Sequence, residues 1–239
     1  MSIAEKLTTI VENEQKVYDA GYDKAVEDEE LVMWKRLTGN GTRKRYGQAF
    51  YGCSFPKDYS FAKPITPTYC ERMFYDMEGH FPKNIDLSGV TSLSGNNGDS
   101  NSTYALFAWT LNATYLHDMK LPAPMAYVST WAYCRALQTI EKIRVKKETQ
   151  FLGGPIGIPF AECFALANVT FEGEIGQNLN MSACTKLTHK SLMNIIGCLY
   201  DFVSNGETTT RTLTIGTNNL SKLTDEEKAI ATQKGWTLT

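Results

Sequence analysis

Histidine and cysteine are the side chains that most often carry acid–base, nucleophilic or metal chemistry, and both are sparse in this sequence. The three histidines, His80, His117 and His189, are far apart, and no carboxylate–cysteine–histidine grouping recurs around them. The six cysteines include no C-x-x-C pair and no spacing typical of zinc ligands. We therefore expect no catalytic residues, no metal site and no cofactor, and the chain is not predicted to be an enzyme.

Basic side chains that could bind an anion are the next candidates. Lys120 and Arg144 are expected to be close neighbours, and further lysines follow in the same stretch: Lys142, Lys146 and Lys147. An anionic partner would offset the repulsion between like charges that face one another on a sheet. Acidic residues lie equally near in the sequence: Asp118, Glu141 and Glu148. If these neutralise the cations, the group is only a solvated surface.

Aromatic side chains between residues 104 and 133 could instead form a contact platform. Trp109 and Tyr115 do not fit the spacing of the buried residues, and exposed aromatic rings are favoured anchors at interfaces. Rings in such positions can equally pack inside the protein. The sequence leaves both interpretations open.

A repeat of apolar residues is expected to position these candidates. One copy steps by three residues and closes with a step of two: Trp131, Cys134, Leu137, Ile140, Ile143 and Val145. A second copy, displaced by 24 residues, has the same spacing: Phe107, Thr110, Ala113, Leu116, Met119 and Leu121. A third copy lacks one triplet: Phe160, Cys163, Leu166, Val169 and Phe171.

Steps of three suit tight turns, and the closing pair suits a short strand with both side chains on one face. A period near 24 lies within the roughly 20–29 residues of leucine-rich repeats. The predicted fold class is α/β, a short leucine-rich-repeat β-solenoid in which Leu121, Val145 and Phe171 align on neighbouring parallel strands. The middle residues of the strand pairs would then form one exposed ladder: Asp86, Lys120, Arg144, Thr170, Asn180 and Thr214.

Helices are predicted on both sides of this repeat. Residues 1–48 read as helices that attach the protein, 49–68 as an irregular connection, 69–186 as the solenoid, and 187–239 as a helix–strand–helix–strand cap. The first helix carries an interrupted heptad seam, which could join several chains or pack within its own domain: Ile3, Leu7, Ile10 and Val17. A helical stripe runs from Leu192 to Val203, and Thr224 with Glu227 forms a capping-box signature.

Several segments resemble leucine-rich repeat proteins of the BspA type from phages and prophages of Gram-positive gut bacteria. The resemblance rests on 49–53 (AFYGC), on the F-x-x-C-x-x-L steps from Phe160, on 10–21 and 40–43, and most specifically on a C-terminal module: 178–188, 191–193, 220–231 and 234–238. It implies a tail or baseplate component with a role in host recognition. Its partners would be a protein or cell-surface glycan and other virion proteins.

Composition excludes several other classes of function. The chain is 42% hydrophobic and 21% charged with a net charge of -2, so we expect no nucleic-acid binding, which needs a positive excess. No apolar run reaches the roughly 18 residues that span a bilayer, and the N-terminus does not resemble a signal peptide. We expect a non-enzymatic virion protein assembled in the host cytoplasm. The alternative is a cytoplasmic bacterial repeat scaffold that binds a protein partner.

Overall fold

Short parallel strands make up the middle of the protein, and helices follow them towards the C-terminus. The structure is a computed structural model. It describes residues 50–60, 66, 70, 72–90 and 102–239. The described residues belong to one compact unit, 44–239. The predicted N-terminal helices and their seam residues, Ile3, Leu7, Ile10 and Val17, lie outside the described residues. The predicted boundaries at 48, 68 and 186 stay predictions.

The elements follow one another in a regular order. Six strands come first: β1 Ser102–Tyr104, β2 Tyr115–Leu116, β3 Ala126–Val128, β4 Thr139–Val145, β5 Gln150–Leu152 and β6 Asn168–Gly173. The C-terminal elements are β7 Leu179–Asn180, α1 His189–Cys198, β8 Arg211–Thr214, α2 Thr217–Leu220, α3 Asp225–Gln233 and β9 Trp236–Leu238. The capping box of Thr224 and Glu227 is present at the start of α3, which confirms that local prediction.

The described strands form three separate three-stranded parallel sheets, in the orders β1-β3-β5, β2-β4-β6 and β7-β8-β9. The prediction of a leucine-rich-repeat β-solenoid is therefore wrong, because no single sheet runs through the repeats. The architecture is a mixed α/β fold. The strands that precede the repeat turns pair with one another in the first sheet; Ala126, for example, pairs with Gln150. The strands that follow the turns pair in the second sheet, where Tyr115 pairs with Thr139.

The three-residue steps of the sequence are tight turns, as predicted. Backbone N–H groups donate to the carbonyl three residues earlier, from Cys134 to Trp131 at 3.2 Å and from Leu137 to Cys134 at 3.2 Å. The same bonds recur from Cys163 to Phe160 and from Leu166 to Cys163. All the residues expected to point inward in the three copies are buried. In the turns, burial follows from the spacing, because each step returns a side chain to the same side. In β4, Ile143 lies on the same side as Ile140 because a β-bulge separates them.

Stacked aromatic rings connect successive turns in the core. The rings of Phe74 and Phe107 lie 5.4 Å apart with nearly parallel planes. Trp131 stacks on Phe107 at 6.3 Å and on Phe160 at 5.0 Å. The thiols three residues after Trp131 and Phe160 support this column of rings. Cys134 Sγ donates to the Phe107 carbonyl, and Cys163 Sγ donates to the Trp131 carbonyl.

A β-bulge shifts the register between β4 and β6. Ile140 pairs with Val169, but the next pair is Ile143 with Phe171, so β4 has one more residue than β6 between the two pairs. Phe171 therefore lies opposite Ile143 and not opposite Val145, while Leu121 lies outside the strands. The expected alignment of Leu121, Val145 and Phe171 is wrong, because the bulge moves Val145 out of register with Phe171 and the strand pairing of β2 ends at Leu116, before Leu121.

Helix α1 closes the edge of β6. Ser191 Oγ accepts the N–H of Val169, Asn194 Oδ1 accepts the N–H of Phe171, and Asn194 Nδ2 donates to the Phe171 carbonyl at 3.2 Å. An exposed edge strand offers unpaired backbone groups to which another strand can add. Here side chains of a helix occupy those groups, so the second sheet ends at β6.

Candidate functional site

The six residues predicted to form one ladder are distributed over two of the three sheets and the loops between strands. Arg144 lies in β4, Thr170 in β6, Asn180 in β7 and Thr214 in β8, whereas Asp86 and Lys120 lie outside the strands. The prediction of one ladder on a continuous sheet is therefore wrong. Residues align in a ladder only when their strands pair in register, and among these six that holds only for Asn180 and Thr214.

Arg144 is bound by a carboxylate that the sequence places nearby. Its two terminal nitrogens donate to the two oxygens of Asp118 at 2.7 and 2.8 Å. Such a bidentate pair is stronger than a neutral hydrogen bond and fixes the orientation of both groups. The hydrogen bond from Arg144 lowers the pKa of Asp118, and the same bond raises the pKa of Arg144.

Lys120 is also paired, but with a different partner. Its Nζ lies 2.7 Å from Asp86 Oδ2, and its backbone has a positive φ of 55°. The pKa of Asp86 is lowered to about 2, first by the hydrogen bond from Lys120 and then by those from Ser88. Lys120 and Arg144 thus have separate carboxylates and do not form a joint cationic pair.

The bulge in β4 directs Glu141 and Lys142 into the same region. Glu141 accepts the hydroxyl of Tyr115 at 2.5 Å and the backbone N–H of Asp118 at 2.6 Å. Burial raises the pKa of Glu141, but these hydrogen bonds outweigh it and the pKa is lowered. Lys142 Nζ lies 2.8 Å from Glu172. Tyr115 therefore packs beside this polar cluster, and its hydroxyl is already bonded.

We call this cluster the charge network; its members are Asp86, Asp118, Lys120, Glu141, Lys142, Arg144 and Glu172. Four carboxylates face three cations in it. Its internal pairing leaves little unbalanced positive charge for an anionic partner. Of the acidic residues that the sequence offered as neutralising partners, Asp118 pairs with Arg144. The other cations pair with Asp86 and Glu172, whereas Glu141 bonds to Tyr115 and to a backbone N–H. A binding role for Lys120, Lys142 and Arg144 stays a prediction.

The other predicted binding residues lie apart from the charge network. Thr170 and Asn180 are exposed, and Asn180 Oδ1 accepts from the N–H and the hydroxyl of Ser182. The hydroxyl of Thr239 donates to that of Thr214 at 3.0 Å. Lys146 is exposed. The structure therefore brings Asp86, Lys120, Arg144, Lys142 and Tyr115 together, and it leaves these four residues outside.

Trp109 lies in the repeat turns and is half-buried, because it packs with Tyr133 against the buried cluster of Tyr104, Ala105, Ala108 and Ala132. Inward packing is one of the two interpretations that the sequence left open. The ring of Trp109 stacks on that of Tyr133 at 4.4 Å with nearly parallel planes. Both residues have a left-handed backbone, with φ of 62° and 64°. Each of these strained residues donates its N–H to the next turn, Trp109 to Ala132 and Tyr133 to Ala161. Such backbone strain is typical of positions held for packing or function.

A row of exposed side chains lies beside these rings. Leu111, Arg135 and Phe164 occupy the same position in three successive turns, four residues after Phe107, Trp131 and Phe160 respectively. Leu111 is 43% exposed and Phe164 is 48% exposed. The Arg135 guanidinium lies 5.8 Å from the Tyr133 ring centre, and it also pairs with Glu162.

We call this surface the turn face; its members are Trp109, Leu111, Tyr133, Arg135 and Phe164. Trp, Tyr and Arg are the side chains most enriched among residues that dominate interface energies. Sequence reasoning identified only Trp109. The sequence signal for Leu111, Arg135 and Phe164 is their shared position four residues after Phe107, Trp131 and Phe160. The signal for Tyr133 is its position two residues after Trp131, which is equivalent to that of Trp109 after Phe107. The predicted repeat included only the buried positions.

The described residues do not bring together the groups that metal chemistry needs. Within the described ranges, no three His, Cys, Asp or Glu side chains form a group that could hold a metal ion. All six cysteines are free thiols, and burial raises the pKa of Cys70 to about 12. A thiol with so high a pKa is a poor nucleophile at neutral pH.

In the part of the chain that is described, no helix has both the length and the apolar composition required to span a membrane.

Comparison with protein-family models, with curated proteins and with solved structures finds no match for this chain. The resemblance to BspA-type proteins therefore stays a hypothesis that rests on the sequence segments alone. The charge network and the turn face are the two surfaces on which a function can be based.

Proposed function

We propose that this chain is a non-enzymatic binding protein, a tail or baseplate component of a phage or prophage virion. It contacts the host surface or a neighbouring virion protein. The C-terminal sequence segments that resemble phage proteins support the class of protein. The turn face supports the binding role.

The observation that carries this proposal is the row of Leu111, Arg135 and Phe164 beside the stacked rings. Leu111 and Phe164 expose nearly half of their surface to water although both are large and apolar. Single exposed apolar residues are common, but a row of them flanked by Trp, Tyr and Arg has the composition of an interface centre. The charge network lacks this character because its charges are paired with one another.

The test compares apolar-to-polar substitutions on and off the turn face. Leu111→Ser with Phe164→Ser is expected to weaken co-sedimentation with purified virions, or with envelopes of host cells, by about tenfold or more, as interface centres typically do. Val203→Ser with Ile230→Ser is the matched control, because these residues are exposed at 59% and 37% and lie outside the turn face. Circular dichroism and thermal unfolding establish that both double variants are folded.

Equal binding by the two double variants would contradict a role for the turn face. Absence of the intact chain from purified virions would contradict the virion assignment. If the chain then bound a protein of the bacterial cytoplasm through the turn face, the scaffold alternative would be supported. Assembly of several chains through Ile3, Leu7, Ile10 and Val17 stays a separate prediction from the sequence.

A further inference from the structure

Four residues with left-handed backbones form a column along the repeat turns. Their φ angles are 56°, 62°, 64° and 56° in chain order: Asp76, Trp109, Tyr133 and Glu162. Each N–H of the first three donates to the carbonyl of the residue just before the next member, as from Asp76 to Ala108 at 2.9 Å. A carboxylate therefore lies at each end of the column, and the two stacked rings of the turn face lie between them.

The two carboxylates of the column differ in their pairing. Glu162 pairs with Arg135 of the turn face. Asp76 forms no ion pair among the described residues, and the guanidinium of Arg72, four residues earlier, lies instead over the ring of Tyr104 at 4.5 Å. The half-buried carboxylate of Asp76 is thus left without a paired cation.

Glu78 adds a second carboxylate at the same end. It follows Phe74 by four residues, as Leu111 follows Phe107. Asn112 Nδ2 donates to the Glu78 carbonyl at 2.7 Å, which places Glu78 beside the turn of Leu111. Glu78 is exposed and, within the described ranges, makes no ion pair. One end of the turn face is therefore negatively charged, next to an exposed apolar side chain.

Building on the proposed function, we propose that the turn face binds a protein segment that presents a basic side chain beside apolar ones. The basic side chain, Lys or Arg, lies at Asp76 and Glu78, and the apolar side chains pack on Leu111 and Phe164. Charge complementarity carries this assignment, because unpaired carboxylates attract a cationic segment and repel an anionic one. The apolar row supplies the contact area of the interface centre.

A cell-surface glycan is the competing ligand. An uncharged sugar ring binds by stacking on an open aromatic face, but Trp109 and Tyr133 cover one face of each other at 4.4 Å, and both are half-buried. An anionic polymer would be repelled by the two unpaired carboxylates. Exposed Leu111 and Phe164 are better matched by the apolar side chains of a protein, whose burial is favourable.

Neutralising the acidic end tests the proposal in the intact chain. Asp76→Asn with Glu78→Gln removes both charges at nearly constant shape, and Asn tolerates a left-handed backbone. We expect co-sedimentation with purified virions, or with envelopes of host cells, to weaken about fivefold at low ionic strength. Binding by this variant should also depend less on sodium chloride, which screens charge pairs. Circular dichroism establishes that the variant is folded.

The matched control is Glu148→Gln with Glu174→Gln, which changes the net charge equally at two exposed positions outside the turn face. It should bind like the unmodified chain. Treating the virions or envelopes with proteinase K, which is then inactivated, should abolish binding. Periodate oxidation of their glycans should leave binding unchanged.

Three results would overturn the proposal. Unchanged binding by the Asp76→Asn, Glu78→Gln variant, with weakened binding by Leu111→Ser and Phe164→Ser, would reject a basic partner and leave the proposed function standing. Binding that is lost on periodate treatment and resists protease would assign the surface to a glycan. A dimer of the unmodified chain that the neutralised variant loses in sedimentation would assign it to a second copy. Unweakened binding by the Leu111→Ser, Phe164→Ser variant would instead contradict the proposed function itself.

Discussion

Asp86 and Lys120 are 34 residues apart in the chain, yet their side chains meet at 2.7 Å. Asp86 also accepts the backbone N–H of Ser88 at 2.9 Å, which orients its carboxylate. Exposed pairs of this kind contribute little individually, but an oriented carboxylate within a network contributes more. The lowered pKa of Asp86 makes this contribution measurable through pH.

A group whose pKa is lowered on folding stabilises the fold above its unfolded pKa and loses that effect as the pH falls. For Asp86 the window runs from the ordinary value of 3.8 down to about 2. We expect Asp86→Asn to lower the free energy of unfolding by about 1 kcal/mol near neutral pH. Near the lower end of the window the two proteins should approach equal stability. Urea unfolding at a series of pH values measures this difference.

A double-mutant cycle with Lys120→Met separates the ion pair from other effects of each substitution. The coupling between Asp86 and Lys120 should be present near neutral pH and should shrink as Asp86 becomes protonated. A coupling that is the same across the whole acid range would show that this pair does not titrate as described.

Among the secondary-structure elements, helix α1 covers the edge of a sheet, a role that its own sequence does not reveal. Its periodicity predicts an amphipathic helix from Leu192 to Val203, and Leu192, Ile195 and Ile196 are buried. The helix ends at Cys198, so the predicted stripe extends too far: Val203 lies beyond the helix and is exposed. The polar side chains of Ser191, Asn194 and Cys198 bond to backbone groups of the strand β6 and of Ala167 just before it. The helix therefore bonds to the backbone at this edge of the sheet, where a further strand would otherwise pair.

Asn194→Ala tests this role. The substitution leaves the N–H and the carbonyl of Phe171 without the bonds to Asn194, and we expect a loss of about 1–3 kcal/mol in the free energy of unfolding. Hydrogen exchange at the Phe171 amide should also become faster. The matched control is Asn218→Ala, at an exposed position in α2. Equal stability of the two variants would mean that the Asn194 bonds do not stabilise the edge of β6.

At the scale of the whole molecule, one lysine joins C-terminal elements to one another and a second also reaches the chain that precedes them. Lys234 Nζ donates to the carbonyls of Ile196, Gly197 and Leu199 at 2.9–3.1 Å, at the end of α1. Lys222 Nζ donates to the carbonyls of Thr185 and Leu187. Cations stabilise the unpaired carbonyls at the C-terminal end of a helix. Beyond residue 186 the elements also bind the preceding strands directly, since β8 pairs with β7 and Ser191 of α1 accepts the N–H of Val169 in β6. These contacts indicate that 187–239 folds together with the preceding strands.

We therefore expect a chain that ends at residue 186 to lose its cooperative unfolding transition and to aggregate. Without α1, the β6 edge offers unpaired backbone groups to other chains. Deletion of residues 1–43 is the matched control, since 44–239 is a compact unit by itself. Calorimetry and sedimentation measure both variants. A soluble, cooperatively folded chain of residues 1–186 would show that the C-terminal elements are not required to close the sheet.

Local features of this protein could be predicted from the sequence by itself. The tight turns, the inward positions of each repeat, helix α1 and the capping box of Thr224 each depend on residues a few positions apart, whose spacing is visible in the chain. The grouping of strands into three sheets, the bulge at Glu141 and Lys142, and the carboxylate partners of Lys120 and Arg144 were decided only by the tertiary structure. The physical reason is that strand register and ion pairing depend on residues far apart in the chain. A single residue more or less in one strand moves a charged side chain to a different neighbour.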